Sequence, residues 1–129
     1  MSEVVLDASA VLCYLQQEPG YQKIEPFIGL RKAYISSVNM SEVIAKLVEN
    51  GTKIELAILA VTKLDLKVVV FDEFLGIETA RLRPVTKGLG LSLADRCCIA
   101  LAKHLRLPLL TTDKAWRSVK TGAKINVIR

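Results

Sequence analysis

Histidine is almost missing from this chain of 129 residues: His104 is the single one, and aromatic residues make up only 5%. Imidazole-based acid–base or metal chemistry therefore has one candidate, near the far end of a helical stretch and expected at the surface. Cysteine is scarce as well, with Cys13, Cys97 and Cys98 giving an odd count. The adjacent pair lies in a helical pattern where the two thiols cannot bridge without distorting the backbone, and zinc-site spacings are missing. All three read as small, reduced, buried residues. No apolar run approaches the ~18 residues that span a bilayer. The start Met1-Ser2-Glu3 is acidic and enters a strand at once, unlike a secretory signal. A soluble, cytoplasmic protein with no membrane partner is expected. Gly88-Leu89-Gly90 lacks the third glycine and the lysine of phosphate-binding loops, which argues against a nucleotide site. No Ser or Cys has a base beside it in any motif, so a covalent nucleophile has no candidate.

What is present is apolar and unevenly charged. A hydrophobic share of 51% and a mean hydropathy of +0.34 suit a sheet covered on both faces, with apolar surface left over for a partner. The length predicts one domain, residues 1–129. The net charge of +5 hides an asymmetry: residues 1–80 carry seven Lys or Arg against eleven acids, whereas residues 81–129 carry eleven against two. The second half must present a positive face, and such a face attracts polyanions, nucleic acid foremost. Its only two acids are Asp95 and Asp113.

Strands and helices alternate along the chain. Val4–Leu6 reads as a buried strand, followed by a helix over Ala8–Gln17, a break at Glu18-Pro19-Gly20, and a helical pattern from Tyr21 to about Arg31 interrupted by Pro26. A short strand at Ala33–Ser36 leads to a helix capped by Asn39 or Ser41 and running to Asn50. A further helix over Thr52–Leu64 makes a hairpin with it. Met40, Val43, Ile44, Leu47 and Val48 on the first, with Ile54, Ala57, Ile58, Val61 and Leu64 on the second, give each an apolar stripe. Lys67–Phe71, β-branched and unalternating, predicts a fully buried parallel strand. Then come a helix from Asp72 to about Arg83, a loop over Pro84–Gly90, a helix over Leu91–His104, a strand at Pro108–Thr111, a short helix at Asp113–Val119 and a strand at Ile125–Ile128. This order indicates an α/β fold, a parallel sheet with helices on both faces.

Four acids then fall at matching places. Asp7 follows the first strand, Glu42 lies in the first turn of the helix after the second, Asp95 in the first turn of the helix leading to the fourth, and Asp113 just past the fourth. Helices that follow parallel strands begin at the sheet's carboxyl edge, so these acids should share that rim. Each has a purely structural alternative. Asp7 and Asp113 can cap helices, Ser92-x-x-Asp95 and Asn39-x-x-Glu42 match capping boxes, and Glu42 can pair with Lys46. Asp95, however, lies on the same stripe as Cys98, Ile99 and Ala102 and faces the protein body. Two carboxylates ~4 Å apart repel by about 4 kcal/mol at an effective dielectric of about 20. A cluster of four calls for protons or a hard divalent cation with oxygen ligands.

Val-Val-Leu-Asp7-Ala-Ser9, Ser-Ser-Val-Asn-Met-Ser-Glu42, Leu-Ser-Leu-Ala-Asp95-Arg-Cys-Cys-Ile-Ala-Leu-Ala and Leu-Leu-Thr111-Thr-Asp113-Lys-Ala-Trp resemble the motifs of PIN-domain ribonucleases, above all the VapC-type toxins of toxin–antitoxin pairs. The resemblance covers the whole chain, and the four motifs in register are far more specific than any one. It implies a three-layer α/β/α fold around a five-stranded parallel sheet in the order 3-2-1-4-5. Asp7, Glu42, Asp95 and Asp113 match the family's acidic quartet, with Ser9 and Thr111 as supporting hydroxyls. It further implies a metal-dependent endoribonuclease using Mg²⁺ or Mn²⁺, an RNA substrate and a cognate VapB-like antitoxin. Asp7 and Asp95 are assigned to direct ligation, with Glu42 and Asp113 binding through water or orienting the nucleophile. Lys114, Arg117, Lys120, Arg81 and Arg96 are candidates for gripping the RNA backbone. The aliphatic hairpin adds a residue-level reason to expect a homodimer or a groove for an antitoxin helix.

Two other classes compete. A phospho-acceptor module also places an Asp after its first strand, and Asp72 invites the comparison. A receiver, though, needs an acidic pair there and a Lys after the last strand, and a haloacid-dehalogenase-like enzyme needs Asp-x-Asp. This chain has Asp7-Ala8-Ser9 and ends Ile128-Arg129. The other competitor is a non-catalytic module with a metal-binding acidic site, against which the intact quartet argues.

Overall fold

The computed structural model describes residues 2–129. Five short strands, β1 (Val4–Leu6), β2 (Ala33–Ser36), β3 (Lys67–Val69), β4 (Leu109–Thr111) and β5 (Ile125–Val127), form one sheet in the order β3-β2-β1-β4-β5. All four pairings are parallel, with Val5 opposite Tyr34 on one side and opposite Leu109 on the other. The expected order and direction are met.

Alternation along β1 divides the core into two layers, because successive side chains of a strand point to opposite faces. Val4 and Leu6 join a cluster with Val11, Ile35, Val43, Ala57 and Val61. The helices on this face are α1 (Ala8–Leu15), α2 (Ser37–Glu49) and α3 (Ile54–Thr62). Val5 joins Leu75, Cys98, Ile99, Leu101, Leu109 and Trp116 on the other. That second face is covered by α4 (Glu73–Arg81), the short α5 (Arg83–Thr86) and α6 (Leu93–Leu105). The result is the three-layer α/β/α arrangement. Among the described residues no helix is long and apolar enough to cross a membrane.

Several local expectations are corrected by packing. Helix α2 begins earlier than expected, because Ser36 rather than Asn39 or Ser41 is its cap and accepts from the Asn39 amide at 3.0 Å. The region from Tyr21 to Arg31 is two single 3₁₀ turns, Tyr21–Lys23 and Glu25–Phe27, since Pro26 removes a backbone donor. At the break before them Gly20 has φ +98°, and a Cβ there would meet the Ile128 carbonyl oxygen at 2.7 Å. The strand at Lys67 stops at Val69 and is not buried: Val68 is 45% and Val70 69% exposed, because β3 is an edge strand. Its β-branched composition reflects strand propensity rather than burial. Part of the expected loop at Pro84–Gly90 is α5, with Pro84 in its first turn as proline permits.

Candidate active site

Chain order makes the site. From β1 the chain crosses to β2 on one side and later returns to β4 on the other, so the carboxyl ends of β1 and β4 flank the point where strand order reverses. A crevice opens there in sheets of this type. Asp7 follows β1 directly and Asp113 lies two residues past β4. Helix α6 runs back against the sheet and brings Asp95 in its first turn to the same rim. Together with Glu42, Ser9, Asn39 and Trp116 these acids line one cavity of about 200 Å³.

Asp7 is the anchor. It is 5% exposed, and both carboxylate oxygens are engaged. Oδ1 accepts from Ser9 Oγ at 2.7 Å and from the Ala10 amide at 2.8 Å, and Oδ2 accepts from Thr111 Oγ1 at 2.6 Å. The two hydroxyls also accept from the segment after β4: Ser9 from the Thr112 amide at 3.0 Å and Thr111 from the Asp113 amide at 3.1 Å. The start of α1 is thereby stitched to the end of β4. Burial pushes the Asp7 carboxyl up from 3.8 to about 6, against the lowering effect of its three hydrogen bonds, and the nearby Asp95 charge adds to the rise. Burial raises the Cys98 thiol well above its ordinary value, and the charges of Asp7, Asp95 and Glu42 add to the rise. Cys13 and Cys97 are likewise buried, free and raised by burial.

The other acids are less enclosed. Asp95 and Ser92 form a true capping box, Asp95 Oδ2 accepting from the Ser92 amide at 2.9 Å and Ser92 Oγ from the Asp95 amide at 3.0 Å. Asp113 Oδ1 accepts from the Ala115 amide at 2.9 Å, capping a 3₁₀ turn over Lys114–Ser118. Capping and membership of the cavity therefore coexist in Asp7, Asp95 and Asp113, because a cap fixes the rotamer that points a carboxylate at the rim. Glu42 departs from expectation: it sits in the second turn of α2, is exposed, and makes no capping box. Its Oε1 accepts from Asn39 Nδ2 at 2.9 Å, while Lys46 reaches Glu49 at 3.9 Å instead.

Asn39 is a site residue that sequence reasoning missed, reading it only as a cap. It is 1% exposed; its Oδ1 accepts from Ser36 Oγ at 2.6 Å, and its Nδ2 also donates to the Ala94 carbonyl at 3.2 Å. It thus ties α2 to the start of α6 and orients Glu42. The available signal is a polar residue on the buried i, i+4, i+8 stripe with Val43 and Leu47.

The four carboxylates and the Ser9 hydroxyl that line the cavity offer oxygen ligands, a set that suits a hard divalent cation. Asp7 uses three hydrogen bonds of about four lone-pair sites, and Asp95 commits one oxygen to its own helix. Among the described residues no three His, Cys, Asp or Glu side chains are drawn close enough to hold a metal in these rotamers, since Glu42 is turned to Asn39 and Asp113 to its cap. His104 is exposed at the other end of α6, against Phe74 at 4.8 Å between ring centroids.

The five basic candidates do not gather together. Lys114 and Arg117 are exposed on the turn after Asp113, with Arg117 Nη2 3.4 Å from the Arg129 carbonyl oxygen. Arg96 follows Asp95 and is half-buried, its Nε without a partner among the described residues. Arg81 and Lys120 line a different cavity at the far end of α6.

Solved structures with this fold are numerous at low identity, and they establish the fold. The DNA-bound VapBC of Salmonella typhimurium superposes with a TM-score of 0.75 at 19% identity, covering 98% of each chain. A toxin–antitoxin complex from Klebsiella pneumoniae gives 0.72 at 16% identity, covering 95% of this chain and 100% of that one. Mycobacterium tuberculosis VapC20, a Sarcin-Ricin loop cleaving toxin, gives 0.71 at 11% identity over 95% and 99%. No curated protein matches the chain by sequence. The model of the PIN domain, however, matches residues 4–122, from the first residue of β1 through the turn after β4, and the chain belongs to the PIN-domain family.

Proposed function

We propose that this protein is a metal-dependent endoribonuclease that acts as the toxin of a toxin–antitoxin module. The observation that carries the reading is the convergence of Asp7, Glu42, Asp95 and Asp113 on one cavity at the β1/β4 switch point, with Asp7 buried and its carboxyl raised to about 6. Bound there, Mg²⁺ or Mn²⁺ would supply a counter-charge for phosphoryl oxygens and lower the pKa of a water. Asp7 and Asp95 are the ligands. Glu42, held by Asn39, and Asp113 hold and orient water on either side. Ser9 and Thr111 keep Asp7 fixed and help it to ionise, and Lys114 and Arg117, next to Asp113, are placed to take RNA phosphates.

Family membership supports nuclease chemistry, and the likeness to toxin–antitoxin complexes, together with that to an RNA-cleaving toxin, supports the toxin role. The α2–α3 hairpin supports a partner. Its inner residues Val43, Leu47, Ala57 and Val61 are buried in the protein's own core, whereas Ile54, Leu56, Ile58 and Leu59 on α3 are each 46–56% exposed. A homodimer contact or a VapB-like antitoxin segment would cover them, and a basic antitoxin side chain would suit the acidic cavity. The deciding experiment incubates purified protein with structured RNAs, with and without Mg²⁺ or Mn²⁺, and maps the ends produced. Cuts at defined positions that need the metal and vanish in Asp7→Asn are expected; metal-independent or absent cleavage refutes the assignment.

A further inference from the structure

The cations that the acidic cavity does not use collect at the opposite end of α6. There α4, α5, α6 and the segment after the Lys114 turn enclose a cavity of about 340 Å³ with Arg81, Lys103, His104, Lys120 and Thr121 in its wall. Its one acid, Glu78, is already tied to Arg81 Nε at 2.9 Å. Neither Lys103 nor Lys120 has an ion-pair partner among the described residues. Thr121 is 9% exposed, and its hydroxyl is buried with no hydrogen-bond partner among the described residues. A buried hydroxyl left without a partner is unfavourable, so an acceptor is wanted there. Lys103 and His104 also complement the C-terminus of the α6 dipole and Arg81 is paired with Glu78, but neither accounts for Lys120, which comes from another element.

Converging cations around an unsatisfied donor describe a site for an oxyanion, and phosphate is the common one. A second cavity adjoins, shares Lys103 and adds Arg106 and Lys124. The positive surface is thus a track rather than a point, which favours a strand of linked phosphates over a single small anion. Lys103 lies eight residues beyond Asp95 on the same helix, about 12 Å along its axis at ~1.5 Å per residue. We propose that this cavity binds a backbone phosphate of an RNA strand whose scissile bond lies at the acidic cavity, a few nucleotides away. The assignment rests on the ribonuclease reading for the position of the cut, not for the phosphate site itself.

The test measures RNA binding by the whole protein in EDTA, so that no cleavage intervenes, for wild type, for Lys103→Gln with Lys120→Gln, and for Thr121→Val. With an RNA long enough to span both cavities, the double variant should bind about tenfold more weakly at low salt. Its log–log salt slope should be shallower by about 0.7 for each phosphate that is no longer neutralised. Thr121→Val should bind several-fold more weakly while its Tm is unchanged or higher, because the isosteric change removes an unsatisfied hydroxyl; a merely structural residue would not separate these two readouts. A short RNA reaching only the acids should lose much less affinity in the variants than the long RNA does. Unchanged affinity and slope for the long RNA overturn the proposal. So does adenosine monophosphate shifting the Thr121 and Gly122 amide resonances in a protein whose RNA binding the variants leave untouched, since the site then serves a free phosphate. Wild type that binds RNA through these residues yet cuts none supports the cavity and overturns the ribonuclease reading instead.

Discussion

The hydroxyl of Thr111 donates to Oδ2 of Asp7 at 2.6 Å, joining residues 104 positions apart at the ends of β4 and β1. It is the shortest of the three bonds on a carboxylate that burial drives toward its neutral form. Thr111→Val keeps the shape and removes this donor, so the Asp7 pKa should rise further. Cleavage at pH 7 should fall about tenfold and recover partly as pH is raised, whereas Thr111→Ser should stay near wild type. A pH–rate profile of the three proteins reads this directly; a Val variant with an unshifted profile would show that Thr111 does not tune Asp7.

Asp7 itself should set a pH dependence of stability in metal-free protein. Its folded pKa, about 6, lies above the ordinary 3.8, so between these values the folded state binds the proton more tightly than the unfolded one. The stabilisation is full below about pH 4 and is lost as pH rises through about 6. The gap corresponds to about 3 kcal/mol at about 1.4 kcal/mol per pH unit, an upper figure because part of the carboxylate's hydrogen bonding survives in the amide. Asp7→Asn should therefore be more stable than wild type at pH 7.5 in EDTA, by about 1–3 kcal/mol, with the difference shrinking toward zero near pH 4. Urea melts at several pH values check it; a variant less stable than wild type at pH 7.5 would contradict the burial account.

Asp95 carries two roles that one substitution can separate. Asparagine can still accept from the Ser92 amide, so Asp95→Asn should leave the capping box largely intact, at a cost below about 1 kcal/mol. The same change removes a charge from the acidic cavity and should abolish metal-dependent cleavage. Thermal melts and end-mapping on the same preparation report both. Normal cleavage by this variant would leave Asp95 as a cap and nothing more.

The exposed face of α3 predicts an assembly. Leu56 and Leu59, 56% and 47% exposed, stand outside the buried clusters, so Leu56→Lys with Leu59→Lys should leave the Tm within about 2 °C, as surface changes do. If the face is a homodimer contact, light scattering should show wild type at twice the mass of the double variant. Equal masses at high concentration would remove α3 from the contact.

Much of this molecule follows from local rules. The apolar triplet Val4–Leu6, the turn residues and the helical stripes are short-range patterns, and with them came the strand and helix order. Placing Asp7, Glu42, Asp95 and Asp113 on one rim needed only the direction of each helix relative to its strand. The resemblance to PIN-domain motifs supplied the strand order, which periodicity cannot, because β1 pairs with β2 and β4 through residues 29 and 104 positions away. What tertiary structure alone decided are the relations between distant groups. How far Lys67–Val69 is exposed, with Val68 at 45%, depends on what covers the edge that the strand order gives it, and its own residues do not say. Asn39 became a buried tie between α2, Glu42 and Ala94 because α6 packs there. Asp7 is raised toward neutrality because other elements exclude water around it. The positive charge of the second half, uniform when counted along the chain, is split between the Asp113 rim and a cavity at the other end of α6. A side chain's identity sets which chemistry it can do; its solvation and its neighbours, which set its pKa and its partners, exist only after chain segments far apart have packed together.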